Sequence, residues 1–182
     1  MAITNAKLLR ANYTIMLAYP EYADNPLEPT AADLNDQFVF TSNEDGMVFN
    51  VSCAILDDSA NNVNQSSSDT DGTMTICDLA AVESPTFVNY EVSLDSLRDL
   101  EVDAPGLYNL LRELTITADR PFYVITRIGK EQNTPFVIGD TISIFGVNTD
   151  FPVDIVEDGT LLGHGARFKP TGSYRINGKV TA

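Results

Sequence analysis

The side chains that could do chemistry in this sequence are few and badly spaced for it. His164 is the one histidine, so a Ser, His and Asp hydrolase would have to be built on it, and no Gly-x-Ser-x-Gly elbow accompanies it. Set between Gly163 and Gly165, it reads as a loop residue. Zinc requires three or four His, Cys or carboxylate ligands at close spacing, and a lone His with Cys53 and Cys77, 24 positions apart, supplies no such set. The two cysteines fit reduced core thiols on strands better than a disulfide framework. Asp69-Thr70-Asp71-Gly72 has the opening of a calcium loop without the distal Glu, so it reads as a turn. No glycine-rich phosphate cradle follows a strand. Asp57-Asp58 and Glu157-Asp158 read as turns, and the absence of Trp weakens a sugar-binding reading. The sequence therefore offers no catalytic residue, no metal site and no cofactor site. It points to a structural subunit that assembles with copies of itself, not to an enzyme.

Charge narrows the partners. Asp and Glu outnumber Lys and Arg by 26 to 11 in 182 residues, a formal net charge of −15. Tight binding of duplex DNA or of an anionic membrane surface is disfavoured, because both depend on cations placed against phosphates. Ala11 to Leu97 contains 15 acidic residues and no Lys or Arg, while the rest of the chain holds all 11 basic residues against 11 acidic ones. One half thus carries the net charge, either as a solubilising surface or as a wall that something anionic passes without sticking. No signal-peptide core or membrane-length apolar run is present, so the expected compartment is the cytoplasm.

The elements that would position such a wall are mostly strands. In Met47 to Leu56, Met47, Phe49, Val51, Cys53 and Ile55 share one parity, with Asn50 and Ser52 on the other. Thr86 to Asp95 repeats the pattern, with Val88, Tyr90, Val92 and Leu94 against Asn89, Glu91, Ser93 and Asp95. Each reads as a strand with water on one face. Further short strands are expected at 73–77, 121–130, 141–147, 153–156, 161–168 and 174–180, with Glu157 to Thr160 as a hairpin turn. One helix is expected at about 104–115, with Asp103 as N-cap, Pro105 in the first turn and Leu107, Leu110, Leu111 and Leu114 at helical spacing. The prolines of 19–37 predict an extended arm, and the polar tract 57–72 predicts a mobile loop. The expected whole is mostly β: one domain over 1–182, an antiparallel β-sandwich or barrel with one flanking α-helix and long loops.

Several strings then bring a family into view. They are Asp119-Arg120-Pro121-Phe122-Tyr123-Val124-Ile125-Thr126-Arg127-Ile128-Gly129-Lys130, Phe145 to Asp154, His164 to Phe168 and Tyr174 to Lys179, with a looser extension over Thr86 to Asp95. In these the chain resembles the major tail tube proteins of long-tailed (siphovirus-type) bacteriophages, particularly those infecting actinobacteria. The resemblance implies six-fold rings that stack into a hollow tube, with strands of each subunit joining a continuous inner barrel. It also implies contacts with tape-measure, tail-terminator and distal tail proteins, transient passage of phage DNA and no membrane contact. The expected location is the virion tail, with assembly in the host cytoplasm. Asn50, Ser52, Asn89, Glu91, Ser93 and Asp95 would then face the duplex, an anionic lining that repels phosphate. A competing expectation is a capsid decoration or adhesin-type binding module, which would be a compact monomer or trimer.

Overall fold

Two β-rich runs of the second half, PFYVITRI and TISIFGVNT, alternate side chains so evenly that both sheet faces are apolar, which requires cover on both sides. The computed structural model describes residues 13–35, 47–56, 63–65, 69–71, 84–87, 90–98, 106–155 and 163–182. Its strands are β1 (Tyr13–Ala18), β2 (Val48–Asn50), β3 (Val63–Gln65), β4 (Asp69–Asp71), β5 (Ser84–Phe87), β6 (Tyr90–Leu97), β7 (Pro121–Ile128), β8 (Thr141–Thr149), β9 (Val153–Ile155) and β10 (Gly163–Lys179). The helices are α1 (Ala31–Asn35) and α2 (Leu107–Thr115), and a 3₁₀ turn spans Pro20–Tyr22.

Eight strands form one sheet in the order β2-β1-β7-β8-β10-β6-β3, with β9 beside β10. Every pairing between the described strands is antiparallel, and β7 and β8 make a hairpin in which Phe122 opposes Val147 and Ile125 opposes Ile144. The chain leaving β2 returns to the far side of the sheet, where Ile55 bridges Ser96 and the Leu56 amide donates to the Asp95 carbonyl at 2.7 Å. The sheet therefore curls on itself, and the expected sandwich-like barrel with a flanking helix is observed.

Two cores result. Ile15, Leu17, Phe49, Tyr90, Val92, Leu94, Phe122, Val124, Phe145 and Val147 meet inside the curl, where Leu110, Leu111 and Leu114 of α2 seal them. Each such fully buried side chain contributes about 1.5–3 kcal/mol. On the opposite face Met16, Ile125, Ile142 and Ile144 are covered by Tyr22, Leu34, Phe136 and Val180.

That second cover corrects the expected arm. Within 19–35 the prolines do interrupt regular structure, but the segment is packed: Tyr22 and Leu34 are buried, the Tyr22 hydroxyl donates to the Pro26 carbonyl at 2.6 Å, and Thr30 bridges Thr181. Burial, with Asp33 and Tyr123 nearby, pushes the Tyr22 phenol far above its usual value. The strand expected from Met47 to Leu56 is also shorter, because the chain turns at 52–54. Cys53 is consequently an exposed free thiol in that turn, not a core residue. Val63–Gln65 and Asp69–Asp71 are strands within the tract expected to be a loop. The expectations for Asp57-Asp58, Cys77, Asn89, Asp103, Pro105 and Glu157 to Thr160 fall outside the described residues. The strands expected at 161–168 and 174–180 are one strand, β10, bent by a bulge between Pro170 and Tyr174. The bulge presses on Gly146, where an added Cβ would lie 2.6 Å from Thr171 Oγ1, so only glycine admits it.

At the far end of the hairpin, Arg127 points into the second core at 1% exposure. Its guanidinium donates to the carbonyls of Glu131 (3.0 Å), Thr134 (2.8 Å) and Pro135 (3.4 Å), and lies 4.0 Å from the centre of the Phe136 ring. Asp140 Oδ2 is its counter-ion at 3.4 Å, while Lys130 reaches Asp140 Oδ1. Burial lowers the Arg127 pKa and Asp140 opposes that shift. Burial acts upward on Asp140, but hydrogen bonds from Lys130 and the Val137 amide, with both cations, hold its carboxyl below the usual range. The 129–140 connection is thus wound around one buried cation. Asp140→Asn leaves that cation without a counter-ion at a cost of about 3–5 kcal/mol, and thermal unfolding is expected to shift down by roughly 10 °C. Lys130→Ala, removing a half-exposed partner, is expected to cost under about 1 kcal/mol. Equal melting temperatures for the two variants would refute this ranking.

Candidate functional site

The face singled out by sequence is the polar side of β6. Tyr90, Val92, Leu94 and Ser96 are buried, while Glu91 is exposed and Ser93 and Asp95 are half-buried. The alternation read from the sequence is therefore real over β6. Its neighbour β10 runs antiparallel with Arg167 opposite Ser93 and Gly165 opposite Asp95. Arg167 folds back over Gly165 to form an ion pair with Asp95, and an added Cβ at 165 would lie 2.9 Å from the guanidinium and 3.0 Å from Asp95 Oδ1. Further along β10, Lys169 pairs with Asp150 at 2.9 Å; the hydrogen bond holds the Asp150 carboxyl down and the lysine up. The cation-free half of the sequence is thus laid against a strand that brings two cations to the same face. Among the described residues, Glu91 is the acid of β6 that has no ion pair.

Asn50 and Ser52 do not join this face. Asn50 is 5% exposed, and its amide donates to the Gln132 carbonyl at 3.0 Å. Its Oδ1 accepts from the Ser52 hydroxyl (2.6 Å) and amide (3.1 Å). The Ser52 hydroxyl in turn takes the Ile15 amide at 2.9 Å. Where β2 stops, these two side chains complete the ladder of β1 and tie it to the 129–140 connection. At Asn50 the sheet is covered on both sides, while Ser52, past the end of β2, is half-buried. Asn89 lies outside the described residues.

His164, expected in a loop, is instead a strand residue of β10, 1% exposed and opposite Ser96. Thr115 at the end of α2 donates its hydroxyl to the Leu111 carbonyl at 2.7 Å, so its oxygen accepts from His164 Nε2 at 2.8 Å. That places a proton on Nε2. Burial lowers its pKa most, and Arg112 lowers it further; Asp154 opposes them, and Arg98 and Arg167 add to the fall. Nothing in this arrangement activates a nucleophile: the imidazole latches α2 to the sheet. Among the described residues no three His, Cys, Asp or Glu side chains cluster as metal ligands, and no helix is long and apolar enough to cross a membrane.

The surfaces that remain are edges and ends. β10 from Tyr174 to Lys179 is paired with β8 on one side, and no described strand pairs with its other edge. β4 and β5 form a two-stranded ribbon apart from the main sheet. At the Pro121 end of the β7–β8 hairpin, a cavity of about 270 Å³ opens between α2 and the barrel, lined by Tyr19, Phe49, Leu110, Leu114, Glu113 and Arg120.

Because the pKa of His164 is lower in the fold than the unfolded value of 6.5, its contribution is complete above that value and declines as pH falls through 6.5. The melting temperature is expected to fall from pH 7 to pH 5. His164→Gln, which keeps a donor for Thr115 and cannot charge, should flatten that slope. Parallel slopes for both proteins would exclude His164 as the source.

In comparisons with known proteins, the family model described as Phage tail tube protein matches residues 1–182. No curated protein matches the chain.

Proposed function

The chain belongs to the phage tail tube protein family, and from that premise we propose that it forms six-fold rings that stack into the tail tube of a long-tailed phage, a conduit for DNA. The family's role is structural, that of a virion tail protein that assembles with its own copies. The ring symmetry follows the family resemblance. So do assembly in the host cytoplasm and contacts with tape-measure, tail-terminator and distal tail proteins.

The observation that carries the self-assembly is the open edge of β10. Over Tyr174 to Lys179 no described strand pairs with the second edge of β10, and an open edge presents amides and carbonyls that proteins protect, cover or pair. A ring of identical copies pairs such edges, and closing a barrel removes them. The detached β4–β5 ribbon supports the same reading, since a two-stranded ribbon alone is marginal in water and gains stability on a neighbour.

For the conduit, the proposal assigns Glu91, Ser93 and Asp95 to the lumen. Arg167 and Lys169 share the face, but each is matched by an acid, so Glu91 leaves the lining net negative. Passing phosphates are then repelled rather than held, over about 10 Å at 0.1 M salt.

Two measurements test this. Negative-stain microscopy of the purified protein should show rings or tubes with a central hole, whereas dispersed compact particles at high concentration would favour a decoration or adhesin-type module. In virions, Glu91→Lys should slow DNA ejection at low salt and recover as salt is raised. Unchanged ejection at low salt would remove Glu91 from the lumen.

A further inference from the structure

The β7–β8 hairpin ends in two complementary surfaces. At one end the connection between its strands leaves Val137 half exposed, Ile138 at 66% and Ile128 at 60%. This is not a loose loop. Arg127 donates to the carbonyls of residues 131, 134 and 135, Asp140 pins its base, and the Gly139 amide donates to the Val180 carbonyl at 3.0 Å. Gly139 at φ +89 turns the backbone immediately after Ile138. A buried cation thus holds an apolar knob out in water.

At the other end lies the cavity of about 270 Å³ floored by Tyr19, Phe49, Leu110 and Leu114. It is smaller than the roughly 300–1,000 Å³ of small-molecule sites, and it has room for an aliphatic side chain. Ile116 and Phe151, both exposed, flank that same end. The rim carries Glu113 and Arg120, neither with an ion pair among the described residues, and the knob carries the exposed Glu131, which Arg120 can match. Knob and cavity are separated by the whole of β7, eight residues or roughly 25 Å, and so cannot meet within one molecule.

We infer that the 129–140 connection of one copy seats Ile138 in the cavity of a second copy, with Glu131 against Arg120, in a head-to-tail contact that leaves a free knob and a free cavity at the two ends of every assembly. Such a heterologous contact propagates and does not terminate at a dimer. This deepens the tube reading and rests on it: the axis of β7 becomes a direction in which subunits add.

The test uses full-length protein. Ile138→Asp should raise the concentration needed for assembly about tenfold or more while leaving the melting curve unchanged, since the side chain is exposed. Arg120→Glu should weaken assembly and Glu131→Arg in the same chain should restore it. In a Cys53→Ser, Cys77→Ser background, Ile138→Cys with Glu113→Cys should give an oxidised ladder of many subunits on a non-reducing gel. A ladder stopping at dimers, or no cross-link in assembled material, overturns the contact. So does normal assembly of Ile138→Asp, and in that case the tube reading stands because assembly itself is seen. Failure of the unaltered protein to assemble under any condition overturns both.

Discussion

Withdrawing the guanidinium of Arg127 from water shapes the whole end of the barrel at which β7 meets β8. A buried cation is tolerated only when its charge is countered and most of its donors are met; here Asp140, three backbone carbonyls, the Thr14 hydroxyl and an aromatic face serve the guanidinium, while its Nε is buried without a hydrogen-bond partner among the described residues. The carbonyls belong to consecutive turns of one connection, so the requirement of a single side chain dictates the path of a dozen residues. Asn50 joins the same region by donating to Gln132, and Asn35 bonds Phe136 in both directions, accepting its amide and donating to its carbonyl. The connection is therefore held from the barrel, from β2 and from α1 at once. Replacing the pair with apolar residues would remove the desolvation cost, but would also remove the reason for the connection to adopt one shape.

Rigidity at that end has a counterpart at the other. The latch between His164 and Thr115 keeps α2 on the sheet, and α2 forms one wall of the cavity beside Phe49 and Tyr19. Tyr19 stacks on Phe122 at 4.9 Å and meets Phe49 edge-on at 5.8 Å, so the floor of the cavity is itself fixed by aromatic packing. A subunit whose two ends are both held in shape suits a structure that must repeat itself many times, because an interface gains most when neither partner has to be ordered on binding.

The electrostatic account changes once strands are neighbours. In the linear chain the acidic half and the basic residues are separate; in the sheet β6 and β10 lie side by side, and Asp95 meets Arg167 across 72 residues of sequence. Net charge along a segment thus overstates the charge on the surface it builds. What survives at the β6 face is a smaller negative excess centred on Glu91.

The sequence alone determined what is local. Period-two alternation gave β6, β-branched and aromatic runs between breaking residues gave β7 and β8, and leucines at helical spacing gave α2, because the backbone repeats of strand and helix are set by their own sterics. The strings that resemble the family were legible in the same way. Tertiary structure decided the rest. Asn50 has the parity of a solvent face, yet β2 is covered on both sides, and burial depends on what packs against a strand, not on the strand's own pattern. His164 between two glycines looked like a turn, and became a strand residue because Gly165 admits Arg167 and α2 supplies Thr115. Arg127 sat unremarked in a β-rich string, and the groups that make it the pivot of one end, from Thr14 to Asp140, lie as far as 113 residues away. Such roles arise from contacts between distant segments, which no window of sequence contains.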